Sequence, residues 1–197
     1  MRGLAETARH QAFCIHQPKL DGATANINAE CAGHSARLNH KTPSICHMNT
    51  LVMREAVKAD VPALVAMLID DELGAAREDA TNLEPYLAAF ERIQGSPETR
   101  LMVAEIDSIL VGTLTLTIFF GLSRQGAARA NVEAVRVSSK YRNQGIGQQM
   151  MEWAIAEAKR QGCRRVQLTS DVRRIDAHRF YERLGFEASH TGFSMVF

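Results

Sequence analysis

The sequence predicts an α/β fold, and three stretches carry that prediction. Leu101 to Ile106 and Ile109 to Phe120 are apolar, strand-length runs on either side of Asp107-Ser108, the pattern of an antiparallel hairpin. Val132 to Val137 is a β-rich run that passes through a polar connector and a glycine-bearing turn into a long amphipathic segment. Arg165 to Thr169 then reads as a further strand. Strand, helix and strand in that order imply a parallel pair joined by a right-handed crossover.

The chain totals bound the function classes. A length of 197 residues suits one domain, or one domain with a tail. A hydrophobic content of 46% is enough for a real core. A net charge of +1 and a pI near 7.8 give no field of one sign for nucleic acid, and no polybasic block for a membrane surface. No apolar run approaches the length of a spanning helix, and the first residues lack the charged-then-apolar pattern of a secretion signal, so a cytoplasmic protein is expected. Cys14, Cys31, Cys46 and Cys163 form no CxxC pair and no disulfide framework.

Residues 1–48 differ from the rest. They hold five of the seven histidines and three of the four cysteines, with few large aliphatics and no sustained period. Cys14-x-His16 and Cys31-x-x-His34 invite a zinc reading, but with Cys46 and His47 they match no finger spacing, and no metal is expected. A flexible N-terminal extension, or sequence upstream of the natural start near Met48, is expected over 1–48, and the folded domain over 49–197.

From there the elements follow in order. Leu51-Val52-Met53-Arg54 reads as a short strand. Asp60 is an N-cap candidate, with Pro62 in the first turn of a helix carrying Val61, Leu64, Val65 and Leu68 on one face. Asp70-Asp71-Glu72 crowd the end of that helix, where its dipole disfavours acids; a solvated end is expected, an acidic lip for a cationic amine being the sharper alternative. Asn82 is a cap for a second helix with Leu83, Leu87 and Phe90, ending near Gly95-Ser96-Pro97. After the hairpin, Gly121 to Arg129 reads as a loop with two arginines.

In strict alternation Glu133, Val135 and Val137 share one strand face, and Val132, Ala134 and Arg136 the other. A carboxylate on an otherwise apolar face is costly unless it is paired or used, and partial burial would make it a better base. An edge position or an arginine partner is the plainer reading. The turn Arg142-Asn143-Gln144-Gly145-Ile146-Gly147 opens a helix with Gly147, Met150, Met151, Ala154, Ile155 and Ala158 on its buried face. The missing side chain of Gly147 is expected to let that helix approach the sheet. Free N–H groups and the helix dipole make its start an anion site, to which Arg142 adds charge. Gly162 is the expected C-cap and Cys163 a structural thiol. Ala177, Phe180, Tyr181 and Leu184 form the stripe of a last helix ended by Gly185, with His178 and His190 expected at the surface, and Phe193 to Phe197 reads as a closing strand.

Two phosphate motifs fail against this turn. The P-loop needs Lys-Ser/Thr where Gln148-Gln149 stand, and the dinucleotide fingerprint needs Gly or Ala where Met150 stands. What remains is Arg142-x-x-Gly145-x-Gly147 after a strand, and "VEAVRVSSKYRNQGIG" resembles motif A of the GNAT superfamily of N-acetyltransferases. "DAHRFYERLGF" resembles the same family's final helix, and together the likeness covers about residues 51–197.

That resemblance implies a mixed, mostly antiparallel sheet flanked by helices, with two central parallel strands splayed apart to admit the pantetheine arm of acetyl-CoA. Val135, Arg136 and Val137 would line the arm, the first and last through their backbone. Arg142, Asn143, Gln144, Gly145, Ile146 and Gly147 would hold the pyrophosphate. Glu133 would help deprotonate the amine, an N–H near Val135 would meet the oxyanion, and Tyr181 would protonate the thiolate. Many relatives carry Asn where Arg174 stands; the arginine could reach a phosphate instead. The implied reaction is direct acetyl transfer to a primary amine of a small molecule, with no metal. A protein acetyltransferase and a non-catalytic acyl-CoA sensor are the alternatives, and a homodimer is compatible with any of them. "RRIDAHRFYERLGFEASHTGF" resembles a branch that includes aminoalkylphosphonate and other small-amine acetyltransferases. Arg124, Arg129 and Arg173 are the expected partners for an acidic group on such a substrate.

Overall fold

The computed structural model describes residues 13–14, 50–71 and 74–197. In chain order these form β1 (Phe13–Cys14), β2 (Val52–Glu55), α1 (Val61–Ile69), α2 (Glu84–Gln94), β3 (Thr99–Ile106), β4 (Ile109–Phe119), a single turn α3 (Ser123–Gly126), β5 (Arg129–Val137), α4 (Ile146–Arg160), β6 (Arg165–Gln167) and α5 (Ile175–Arg183). The sheet runs in sequence order from β1 to β6, antiparallel throughout except for the parallel pair β5–β6. The mixed, mostly antiparallel sheet flanked by helices is therefore observed. The cysteine- and histidine-rich stretch, apart from the backbone of β1, lies outside the described residues, as does Glu72.

Asp107 and Ser108 make the β3–β4 turn with φ of 51° and 63°, the pair of positive angles a tight right-twisted hairpin requires. One sheet face carries Leu114, Leu116, Ala130 and Val132 under the buried stripe Met150, Met151, Ala154 and Ala158 of α4, so the methionines are core. The other face buries Val103 under Val61, Leu64 and Val65 of α1 and Phe90 of α2. Among the described residues no helix is long and apolar enough to cross a membrane.

Several expectations are corrected. Asp60 stands at the start of α1, but its carboxylate does not cap that helix; it accepts from the Val57 N–H and from both ends of the Arg54 guanidinium, at 2.7 and 3.1 Å, and Arg54 also reaches Glu105 at 2.6 Å. Asn82 does serve α2, accepting the Glu84 N–H at 3.2 Å from one residue before the N-cap. Phe193 to Phe197 form no strand, and Phe193, Met195, Val196 and Phe197 are exposed. β6 ends at Gln167 rather than Thr169. The glycine that permits close approach of α4 is Gly112 of β4, not Gly147. A Cβ on Gly112 would lie 2.5 Å from Met150 Sδ and 3.0 Å from the Arg136 carbonyl oxygen, whereas one on Gly147 meets Phe180 and Val137 at 3.6 and 3.7 Å, ordinary contact.

Helix α4 is also tied to the sheet by charge. Glu157 accepts from Arg100 Nη1 on β3 at 2.7 Å, from Arg160 at 2.7 Å and from Gln161 at 2.9 Å. The Arg160 bonds foremost, with Gln161 and the Arg100 charge, hold its carboxyl at about 2 against an ordinary 4.5. A depressed carboxylate stabilises the fold above its unfolded value, and that contribution disappears as pH falls from about 4.5 towards 2. Glu157→Gln is expected to lower stability by about 1–3 kcal/mol at pH 7, and urea titrations should show the gap to wild type narrowing below about pH 4.5 and closing only near pH 2. Gly112→Ala should lose about 1–3 kcal/mol, because the Arg136 carbonyl cannot retreat from the ladder as a methionine tip can. Gly147→Ala should leave the unfolding midpoint in place.

Candidate active site

The parallel pairing of β5 and β6 stops at Asn131↔Gln167, while β5 runs on to Val137. From Val132 onward that edge of β5 has no strand partner among the described residues. A gap thus opens at the carboxyl ends of two parallel strands, the position where open α/β sheets bind ligands. Ser138 N–H donates to Val111 O on β4 at 2.9 Å, so the carbonyl of the same peptide, that of Val137, points the opposite way, into the gap. By the period of two, Val135 offers its edge groups to the same side. Both carbonyls already accept from side chains, Val135 O from Arg136 Nη1 at 2.9 Å and Val137 O from Arg142 Nε at 3.1 Å.

Strict alternation fails inside β5. Thr113 faces Arg136 and Thr115 faces Glu133, so Ala134 and Val135 together oppose Leu114, and Ala134 has φ 50°. This bulge inserts one residue and reverses the faces beyond it. Val132 before it, and Val135 and Val137 after it, all pack into the core under α4. Glu133 therefore does not share a face with Val135 and Val137, as strict alternation required. It lies on the α1 side, exposed, accepting from Asn131 Nδ2 at 2.7 Å. The partial burial expected for it is absent.

At the mouth of the gap, the turn before α4 uses Asn143 at φ 62° and Gly145 at φ 76°. Gly145 is the N-cap, no side chain caps it, and the first turn holds no acid. The first internal bond of the helix is Gln149 N–H to Gly145 O, which leaves the N–H groups of Ile146, Gly147 and Gln148 without helical partners. These groups and the helix dipole can accept an anion. Gln144 bonds back to Lys140 O at 3.3 Å. Arg142 is not a free cation: besides Val137 O it donates to the Asp70 carbonyl at 2.6 Å and its carboxylate at 3.2 Å.

The expected solvated end holds for Asp70, which is exposed, whereas Asp71 is partly buried, and both carboxylates are already engaged rather than open to a free cation. Asp70 accepts the Ser139 N–H at 2.7 Å, which foremost, with the Arg142 charge, holds it below the usual carboxylate range. Asp71 takes both nitrogens of Arg174, one at 2.7 Å, and stands 3.7 Å from Arg136 Nη2. The Arg174 bonds foremost hold it, too, below its ordinary value. Arg174, the residue before α5, is consequently held by the end of α1. The role of the two aspartates was missed; their signal was an acidic pair at a helix end that its dipole disfavours.

Tyr181 stacks edge-on between Phe180 at 5.1 Å and Phe186 at 6.0 Å, and its hydroxyl makes no hydrogen bond among the described residues. Burial raises its pKa, against the charges of Arg136 and Arg174, so it keeps its proton at neutral pH. The remaining expected arginines lie apart. Arg173 pairs with Asp171 at 2.7 Å, Arg129 stacks on Phe119 at 5.4 Å, and Arg124 sits exposed in α3 at φ 55°. His178 bonds to Asp171 O at 2.8 Å and His190 to Ser189 at 2.8 Å. Cys163 is partly buried against the core, which raises its thiol pKa. No cluster of three or more His, Cys, Asp or Glu among the described residues is arranged to hold a metal.

The family model for the acetyltransferase (GNAT) family matches residues 65–186. An aminoalkylphosphonate N-acetyltransferase from Salmonella typhimurium is 28% identical over 145 residues, 72% of this chain and 88% of its own. Among solved structures, a transcriptional regulator from Bacillus halodurans C-125 is 44% identical, with TM-score 0.72, covering 75% of this chain and 99% of that one. The glucosamine-6-phosphate N-acetyltransferase of Arabidopsis thaliana, at 22% identity, shares the fold with TM-score 0.63 over 75% of this chain and 99% of its own. The family match spans well over half of the residues and includes the gap, the glycine turn and Tyr181, and on that ground the chain belongs to the acetyltransferase (GNAT) family.

Proposed function

We propose that this protein transfers the acetyl group of acetyl-CoA directly to a primary amine of a small molecule. The observation that carries the reading is the unpaired edge of β5, which runs into an uncapped helix start with Tyr181 in the adjoining helix. Acetyl-CoA supplies an activated thioester carbonyl. The N–H groups of Ile146, Gly147 and Gln148, with the turn from Asn143 to Gly145, are suited to its pyrophosphate. The edge groups of Val135 and Val137 are suited to the amides of its arm. Glu133, accessible and oriented by Asn131, takes the proton the amine loses as its nitrogen bonds to the carbonyl carbon. As the carbon–sulfur bond breaks, Tyr181 gives its phenolic proton to the sulfur. The resemblance to a Salmonella aminoalkylphosphonate N-acetyltransferase supports a small acceptor.

The 44% identical Bacillus protein described as a transcriptional regulator favours a second reading, acyl-CoA sensing without turnover. Thiol release measured across a panel of small amines decides between them. Turnover on small amines is expected; coenzyme A binding without turnover on any amine supports sensing, and turnover confined to lysines or N-termini of polypeptides supports a protein acetyltransferase.

Two substitutions test the assigned roles. Gly145→Asp places a carboxylate where the diphosphate would sit, and calorimetry should show coenzyme A affinity falling about tenfold or more. Tyr181→Phe should reduce kcat roughly 100-fold with coenzyme A affinity unchanged.

A further inference from the structure

The resemblance set Arg136 beside the coenzyme arm, but beyond the bulge its side chain lies on the α1 face next to Asp71, away from Val135 and Val137, and the proposed chemistry leaves it without a task. Its side chain is only 18% exposed. Its Nε is the buried side-chain nitrogen or oxygen without a hydrogen-bond partner among the described residues. A guanidinium has five N–H donors. Here Nη1 serves the carbonyl of the preceding residue, and the carboxylate of Asp71 stands 3.7 Å from Nη2, too far for a hydrogen bond. Asp71 is meanwhile held by both nitrogens of Arg174. Two guanidiniums thus share one carboxylate in a half-buried place, with Arg77 adding like charge. Burial pushes the Arg136 pKa down, the sign of a cation short of compensation.

The missing anion is not the diphosphate. The bulge at Ala134 turns Arg136 to the face opposite Val137, and it is Val137 that packs next to Gly147 at the start of α4. Arg136 instead shares the α1 side with Glu133, within electrostatic reach of the Tyr181 hydroxyl. Whatever occupies that side carries the amine, on the reading above, on which this inference rests. We infer that Arg136 receives an anionic oxygen group, a phosphonate, phosphate or carboxylate, borne by the acceptor a few bonds from its reacting nitrogen. A planar fork with unused donors suits such a group, and its arrival would supply the charge that Asp71 divides between two partners. The arginines first expected for this purpose, Arg124, Arg129 and Arg173, are exposed, stacked on Phe119 or paired with Asp171.

The test compares 2-aminoethylphosphonate with the uncharged 3-amino-1-propanol in wild type, Arg136→Gln and Arg136→Lys. In wild type the phosphonate should have a kcat/KM at least 100-fold higher. Arg136→Gln should lower its kcat/KM 100-fold or more, mainly through KM, leave the uncharged amine within about threefold, and leave coenzyme A affinity by calorimetry unchanged; Arg136→Lys should recover part of the loss. An uncharged amine that serves wild type equally well, or a parallel fall for both amines at intact melting temperature, overturns the inference. Should Arg136→Gln not fold, wild type alone decides: ethylphosphonate should inhibit competitively against the amine and not against acetyl-CoA, and competition against acetyl-CoA overturns the inference. Should wild type acetylate no amine, the transfer reading fails separately. Calorimetric binding of 2-aminoethylphosphonate to wild type that Arg136→Gln abolishes would then still support the receptor, and its absence in wild type would overturn it.

Discussion

One surplus residue in β5 organises everything else at this site. A regular strand would have put Glu133 with Val135 and Val137, and a carboxylate would have been driven under α4. The bulge at Ala134 lets the strand be apolar on the α4 side both before and after it, while Glu133 and Arg136 fall on the α1 side. The same local bend accompanies the parting of β5 from β6 beyond Asn131. A face that packs, an edge that is open and a face that carries charge therefore come from one strand of nine residues.

The charged face is balanced by the end of α1. Asp70 and Asp71 are adjacent, so their side chains diverge, one to Ser139 and Arg142 beside the glycine turn, the other to Arg174 and Arg136 beside Tyr181. A single helix terminus thereby fixes both the loop that leads into α4 and the residue that leads into α5. On the proposed reading, two neighbouring carboxylates therefore brace both the turn meant for the diphosphate and the side chain next to Tyr181. These contacts explain why acids stand where the α1 dipole opposes them: the Ser139 and Gly74 N–H groups and the guanidiniums of Arg142, Arg174 and Arg136 outweigh an unfavourable term of a few tenths of a kcal/mol.

Much of this was legible in the residues. The hairpin around Asp107-Ser108, the stripe of α4, the glycine turn and the parallel crossover all depend on local periodicity and turn chemistry, which a sequence displays. What stayed hidden depends on other strands. A bulge is a mismatch between two chains, and nothing in Glu133-Ala134-Val135 marks it, since alanine at positive φ is not a turn residue. Gly112 reads as one more strand position until Met150 is seen above it. The pairings of Arg142 with Asp70 and of Arg174 with Asp71, about seventy and one hundred residues apart, are likewise contacts that a sequence does not display. Phe193 to Phe197 have strand propensity, yet propensity provides no neighbour to pair with.

The Arg142 clasp has a further consequence. Its guanidinium bridges the Asp70 carbonyl and carboxylate to the Val137 carbonyl, so the segment leading to Gly145 is braced from two sides before any ligand arrives. A loop already held in one shape surrenders little conformational freedom on association. Capture of a diphosphate at this rim should then be a lock-and-key event, with residence time rather than loop rearrangement setting the affinity.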